Sequence, residues 1–279
     1  MSVRVLLRLM PGMGLLAVVL ACSMVSASGS QSTSAPRNVP TIAQNGISIF
    51  ASPIRMVIPD ELGAGATAET IDVVTDQTGA PWDVAPAHLQ LTLQGYSVQN
   101  TFHVPQFFVY PAQEYAAANQ RAAGSIQRLQ AILASPNSQF ANDMLPYVPF
   151  FNAGQVFAAQ EKVMHFNNGS GLRVITQYGQ DVSPISNSGL FYHFEGLTTD
   201  GKYYLVAILP TNLPFLPADN NPASSVSSGG VPFPPNDASG SSFDNYYKQV
   251  GELIDGASEA QFNPPLKLLD ALIQSISAQ

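Results

Sequence analysis

His193 and Glu195, two residues apart in "LFYHFEGLTTDGKYYLVAILP", are the spacing in this chain most able to do chemistry. On a β-strand such residues share a face, so an imidazole and a carboxylate there could pass a proton between them. If the chain reverses near Pro184, Arg173 lies opposite Glu195, and Gln177 joins the same face. The expected polar cluster is Arg173, Gln177, His193 and Glu195. Two readings follow. One is the acid-base pair of an exported hydrolase. The other, which the sequence favours because no nucleophile or second carboxylate converges on the pair, is a cross-strand ion pair on a solvated face, worth about 0.2–1 kcal/mol.

Other chemistries find less. The four histidines, His88, His103, His165 and His193, show no HxxxH, HxH or HExxH spacing, and the chain has one cysteine, so neither a zinc site nor any other cofactor is expected. G-x-S-x-G is absent, and Ser170 in "NNGSG" has the composition of a tight turn. Asp219-Asn220-Asn221 lacks the glycine and distal glutamate of a calcium loop. Trp82 in "GAPWDVAPAH" reads as a loop anchor on the domain edge.

The elements that must position these residues are mostly strands. Leu89, Leu91 and Leu93 alternate with polar neighbours, and similar short segments run over 47–51, 55–58, 70–75 and 104–110. Two hairpins follow, 156–166 with 172–178 and 190–198 with 202–209, each joined by a glycine-bearing turn. Apolar stripes at three-four spacing predict helices over 114–135, after Ser241-Ser242, and after Asn263-Pro264-Pro265. Residues 45–279 are therefore expected to form a single α+β domain, one antiparallel sheet packed against three α-helices. Residues 210–240, rich in Pro, Ser and Gly with Phe215 and Phe233 at the flanks, form a loop long enough to be a connector lying along the domain or a ligand lid.

The N-terminus has a different character. Arg4 and Arg8 precede an uncharged, apolar stretch ending at Ala21, the order of a secretory signal peptide over residues 1–21. The run is shorter than the roughly 20 apolar residues of a spanning helix. Its end, Val19-Leu20-Ala21-Cys22, resembles the lipobox of bacterial envelope lipoproteins, with Leu20 where that family usually carries a small residue. The resemblance implies a cut before Cys22, a diacylglyceryl group on its thiol, palmitate-type acylation, and a place on the extracytoplasmic side of a bacterial membrane. Val25-Ser26-Ala27 offers an alternative cut by ordinary signal peptidase. Residues 22–44, dominated by serine and small residues, read as a lipidated flexible tether. The segments "NAGQVFAAQ", "NNGSGLRVITQYGQ" and "LFYHFEGLTTDGKYYLVAILPTNLPFLPAD" are similar to a family of bacterial lipoproteins for which no activity is established, so the resemblance implies no site beyond Cys22.

Charge narrows the partners. Loss of Arg4 and Arg8 with the signal shifts the formal net charge from −8 to −10. Such a surface repels phosphates and anionic headgroups, which argues against nucleic acid and leaves the membrane to be held through the lipid alone. The sequence thus favours a membrane-anchored, non-enzymatic cell-envelope lipoprotein that binds an envelope protein, a cell-wall component or a small apolar ligand. The exported hydrolase using His193 and Glu195 is the alternative.

Overall fold

The computed structural model describes residues 45–136, 145–235 and 239–279. The expected signal peptide (1–21), Cys22 and the expected tether (22–44) lie outside the described residues.

Two antiparallel sheets dominate the described chain. The larger has seven strands in the order β3-β4-β5-β9-β8-β7-β6. These are β3 (Gly65–Ile71), β4 (His88–Gln94), β5 (Gln106–Pro111), β6 (Gly154–Phe166), β7 (Gly169–Gly179), β8 (Phe191–Thr198) and β9 (Tyr203–Pro210). The smaller joins β1 (Gly46–Ala51), β2 (Ile54–Pro59) and a two-residue β10 (Ser277–Ala278). Four helices accompany them: α1 (Ala112–Ala118), α2 (Gln120–Ala134), α3 (Gly240–Gly256) and α4 (Leu266–Gln274).

This corrects the expected α+β domain with one sheet on three helices: the described residues are mostly β, with two sheets and four helices. The reason lies in the central strands. In β9, Leu205, Ala207 and Leu209 face one core while Tyr204, Val206 and Ile208 face another, and all six are buried. A strand buried on both faces reads as the unbroken apolar run "YYLVAILP", and its sheet must be covered on both sides. One side takes α3, α4 and the small sheet; the other takes α1, α2 and residues 145–150.

The expected 114–135 helix is in fact two. Asn119 is extended at φ −138° and breaks it, its side-chain oxygen accepting from the N–H groups of Arg121 and Ala122 to cap α2. The Asn119 amide also donates to Val84 O. The strand expected at 70–75 lies earlier, at Gly65–Ile71, as an edge strand exposed over much of its length. Both expected hairpins form, the first with a bulge at Gln160, whose φ is +56°. That bulge serves the fold: the Gln160 amide donates to Ile254 O, Asp255 O and Ala257 O, satisfying carbonyls at the end of α3.

Residues 211–235 follow the domain surface. Asn187 and Ser188 donate backbone bonds to Pro217 O and Ala218 O, and Phe215 and Phe233 pack against the core. Phe233 lies 5.0 Å from Tyr246 and 5.4 Å from Phe243, ring to ring.

Candidate functional site

Register decides what the expected polar cluster becomes. On β7 and β8, Arg173 pairs with Phe194, Val174 with His193, and Leu172 with Glu195. Arg173 is therefore one residue out of the expected register, and one residue moves a side chain to the other face. The structure separates the four residues: Arg173 and Gln177 face the core of α3 and α4, His193 and Glu195 the core of α1 and α2.

Arg173 meets Asp270 of α4 instead, with Nη1 donating to both carboxylate oxygens at 3.1 and 3.0 Å. Both side chains are buried. Asp270 also accepts from Tyr192 Oη and from Lys162 Nζ, and Arg173 Nε donates to Gln160 O. This network ties β6, β7 and β8 to α4 and reaches the surface through the half-exposed Lys162 and Glu259.

His193 and Glu195 are equally closed in, at 4% and 1% exposure. Both attend to Val148. Val148 N–H donates to Glu195 Oε1 at 2.7 Å, and His193 Nε2 lies 2.8 Å from Val148 O. A carbonyl only accepts, so Nε2 carries the proton. Tyr204 Oη donates to Glu195 Oε2. Burial pushes the His193 pKa down to about 4 and the Glu195 carboxyl up to about 8. At neutral pH the imidazole is uncharged and the carboxyl mostly protonated, so their 3.3 Å approach is not an ion pair.

The segment above them is held from the other side too. Arg128 Nε of α2 donates to Leu145 O, and Ser125 Oγ bonds both the N–H and the carbonyl of Tyr147. Residues 145–148 lie in no helix or strand, yet side chains of α2 and β8 satisfy their polar backbone groups. His193 and Glu195 are thereby committed to architecture.

A concavity opens at one end of the large sheet, where four connections gather: the one between β4 and β5, the residues before β6, the turn between β7 and β8, and the start of the segment after β9. Its volume is about 840 Å³, within the roughly 300–1,000 Å³ of small-ligand sites. Phe151, Tyr178 and His103 form the inner wall, His103 packing 4.5 Å from Phe191 and 5.0 Å from Phe151. Burial and the neighbouring His193 hold the His103 pKa down at about 4. The Tyr178 hydroxyl is buried and has no partner among the described residues. At the rim Phe102 is 82% exposed, while its N–H is fixed to Ser188 O at 2.8 Å.

Of the sequence-expected residues, only Gln177 reaches this cleft. Its amide binds Pro184 O and Ser186 N, shaping the turn that forms one wall. Gly189 is required beside it, since a Cβ there would stand 2.6 Å from Gln177 Oε1. Nothing in the sequence singles out Phe102, and His103 stands out only as a histidine without metal-ligand spacing; the local signal for both is the aromatic residue in the polar stretch "SVQNTFHV". Among the described residues no three His, Cys, Asp or Glu side chains gather as metal ligands, and no helix is long and apolar enough to cross a membrane. Trp82 packs against the core of α1 and α2. Compared with protein-family models, curated proteins and solved structures, the chain gives no match.

Proposed function

We propose that this chain is a cell-envelope lipoprotein, exported by residues 1–21 and anchored through acylated Cys22, whose domain holds a ligand in the cleft at the end of the large sheet without transforming it. The observation that carries the binding half is the pairing of that cleft with the exposed ring of Phe102 on a backbone fixed to Ser188. Ligand sites gather on loops that a rigid sheet positions, and an aromatic side chain held out to solvent is a binding anchor in waiting. Binding is favoured over hydrolysis because both Glu195 oxygens and His193 Nε2 are engaged by Val148 and Tyr204 and the two side chains are buried. The anchoring half rests on the lipobox residues alone.

Two measurements test the two halves separately. Intact-mass analysis of the mature protein should find Cys22 first and carrying acyl mass, with Cys22→Ala left unprocessed or cut elsewhere. A mature chain beginning at Ser28 without added mass overturns the anchor. In detergent, with the lipid anchor solubilised, the full chain should co-sediment with membrane-free insoluble cell-wall material, and Phe102→Ala should lose that capture with unchanged melting. Equal capture by both proteins overturns the cleft as the binding site.

A further inference from the structure

The lining of the cleft is specific about charge. Among its described residues there is no lysine or arginine, and one carboxylate, Asp181. His103, with its pKa near 4, is neutral at physiological pH. A phosphate, a sulfate or a carboxylate would find no charged partner there, and the acidic balance of the whole chain, −8 by formal count, would repel it.

The remaining polar groups are amides and hydroxyls. The side-chain amides of Asn100, Asn152 and Asn220 line the cleft and make no hydrogen bond within the described residues. Each offers donors and an acceptor together, as a sugar hydroxyl does. A purely apolar ligand would cover these amides without pairing them, so their lost hydration would go unrepaid. The apolar surface, by contrast, is concentrated in flat rings: Phe102 at the rim, Phe151 and Tyr178 on the inner wall. A lining that combines flat rings with bifunctional polar groups matches a molecule with a C–H face and an edge of hydroxyls.

The rim is also pre-shaped. Asn100 adopts φ +60°, a left-handed conformation that asparagine tolerates, which turns the chain so that His103 packs inward while Phe102 faces out. The Phe102–Ser188 and Ser188–Ala218 backbone bonds join three connections into one edge. The backbone that carries the ring is thus ordered before any ligand arrives, which lowers the ordering cost of binding.

We propose that the cleft binds an uncharged oligosaccharide, its C–H face on Phe102 and its hydroxyls on the amides of Asn100, Asn152 and Asn220. This rests on the reading of the cleft as the ligand site. A glycan chain of the cell wall is the source that an envelope location would supply.

The full chain is tested in an amine-oxide detergent, since a glucoside or maltoside detergent would itself compete. The probes are an array of neutral and acidic glycans and N-phenyl-1-naphthylamine, an uncharged apolar fluorophore. Neutral glycans should bind, with affinity falling at least tenfold in Phe102→Ala and in Asn100→Gly, which removes the amide while keeping the left-handed turn allowed. Melting of both variants should match wild type, because both side chains lie at the rim. Binding confined to acidic glycans overturns the inference. So does Phe102-dependent binding of the fluorophore without any glycan, which would leave the cleft standing as a site for apolar ligands. Binding of no probe overturns the oligosaccharide and removes the support for a binding cleft together.

Discussion

His193 and Glu195 divide one residue between them: the imidazole N–H donates to the carbonyl of Val148, and the carboxyl accepts its N–H. Glu195→Ala would strand both Val148 N–H and Tyr204 Oη in a buried site, at about 1–3 kcal/mol for each. Glu195→Gln keeps an acceptor for Val148 and should cost far less. Urea unfolding of the two variants distinguishes them, and equal losses would show that hydrogen bonding to Val148 is not what Glu195 contributes.

The same residues set the pH dependence of stability. Glu195 has its folded pKa raised to about 8 from 4.5, so its contribution is full below pH 4.5 and is lost as pH rises toward 8. His193 and His103 are lowered from 6.5 to about 4, so the folded form binds fewer protons, and stability rises with pH between 4 and 6.5. His88, lowered by burial, acts in the same direction. Stability from these groups should peak near pH 6.5, with limiting slopes of roughly 1.4 kcal/mol per pH unit for each group. Denaturation midpoints measured across pH 4–9 should show the peak, and Glu195→Gln should flatten its alkaline side.

Arg173 and Asp270 form a buried charge pair, and removing one leaves the other with only a half-exposed partner, Glu259 for Arg173 or Lys162 for Asp270. Asp270→Ala should cost about 3–5 kcal/mol, whereas replacing both residues with apolar ones of similar volume should be close to neutral. A double-mutant cycle should give strong coupling of Arg173 to Asp270 and almost none to Glu195, which lies on the other face of the sheet. Strong coupling to Glu195 would contradict the register.

The long segment after β9 should divide into anchors and filler. Phe233→Ala removes a ring packed on Phe243 and Tyr246 and should lower the melting temperature by several degrees. Replacing Ala223–Ser227 by a shorter Gly/Ser turn should change it little, because closure entropy varies by only about 0.6 kcal/mol per doubling of loop length. Thermal melting checks both.

Local pattern carried much of the fold, and its limits are instructive. The β6/β7 and β8/β9 hairpins were legible because alternation and glycine turns act within a few residues. The register between β7 and β8 was not, because the connection from Gln180 to Leu190 contains no two-residue turn to fix it, and a slip of one separates Arg173 from Glu195. Asn119 looked like one polar position in an apolar stripe; its double role as cap and as partner of Val84 depends on a distant segment. β10 is two residues long, too short for any period, and exists because β2 offers an edge. The cleft was illegible for a related reason. Its residues come from connections that share no periodicity and meet only because the sheet brings its strand ends together.

Val148 should behave in solution unlike its surroundings in sequence. An amide outside regular structure ordinarily trades its proton with solvent through small local openings. This one is gripped by a side chain of a central strand, while α2 holds Leu145 and Tyr147 just before it. Its deuterium uptake should therefore keep the slow pace of the β8 amides, and report separation of the helical layer from the sheet, not loosening of a loop.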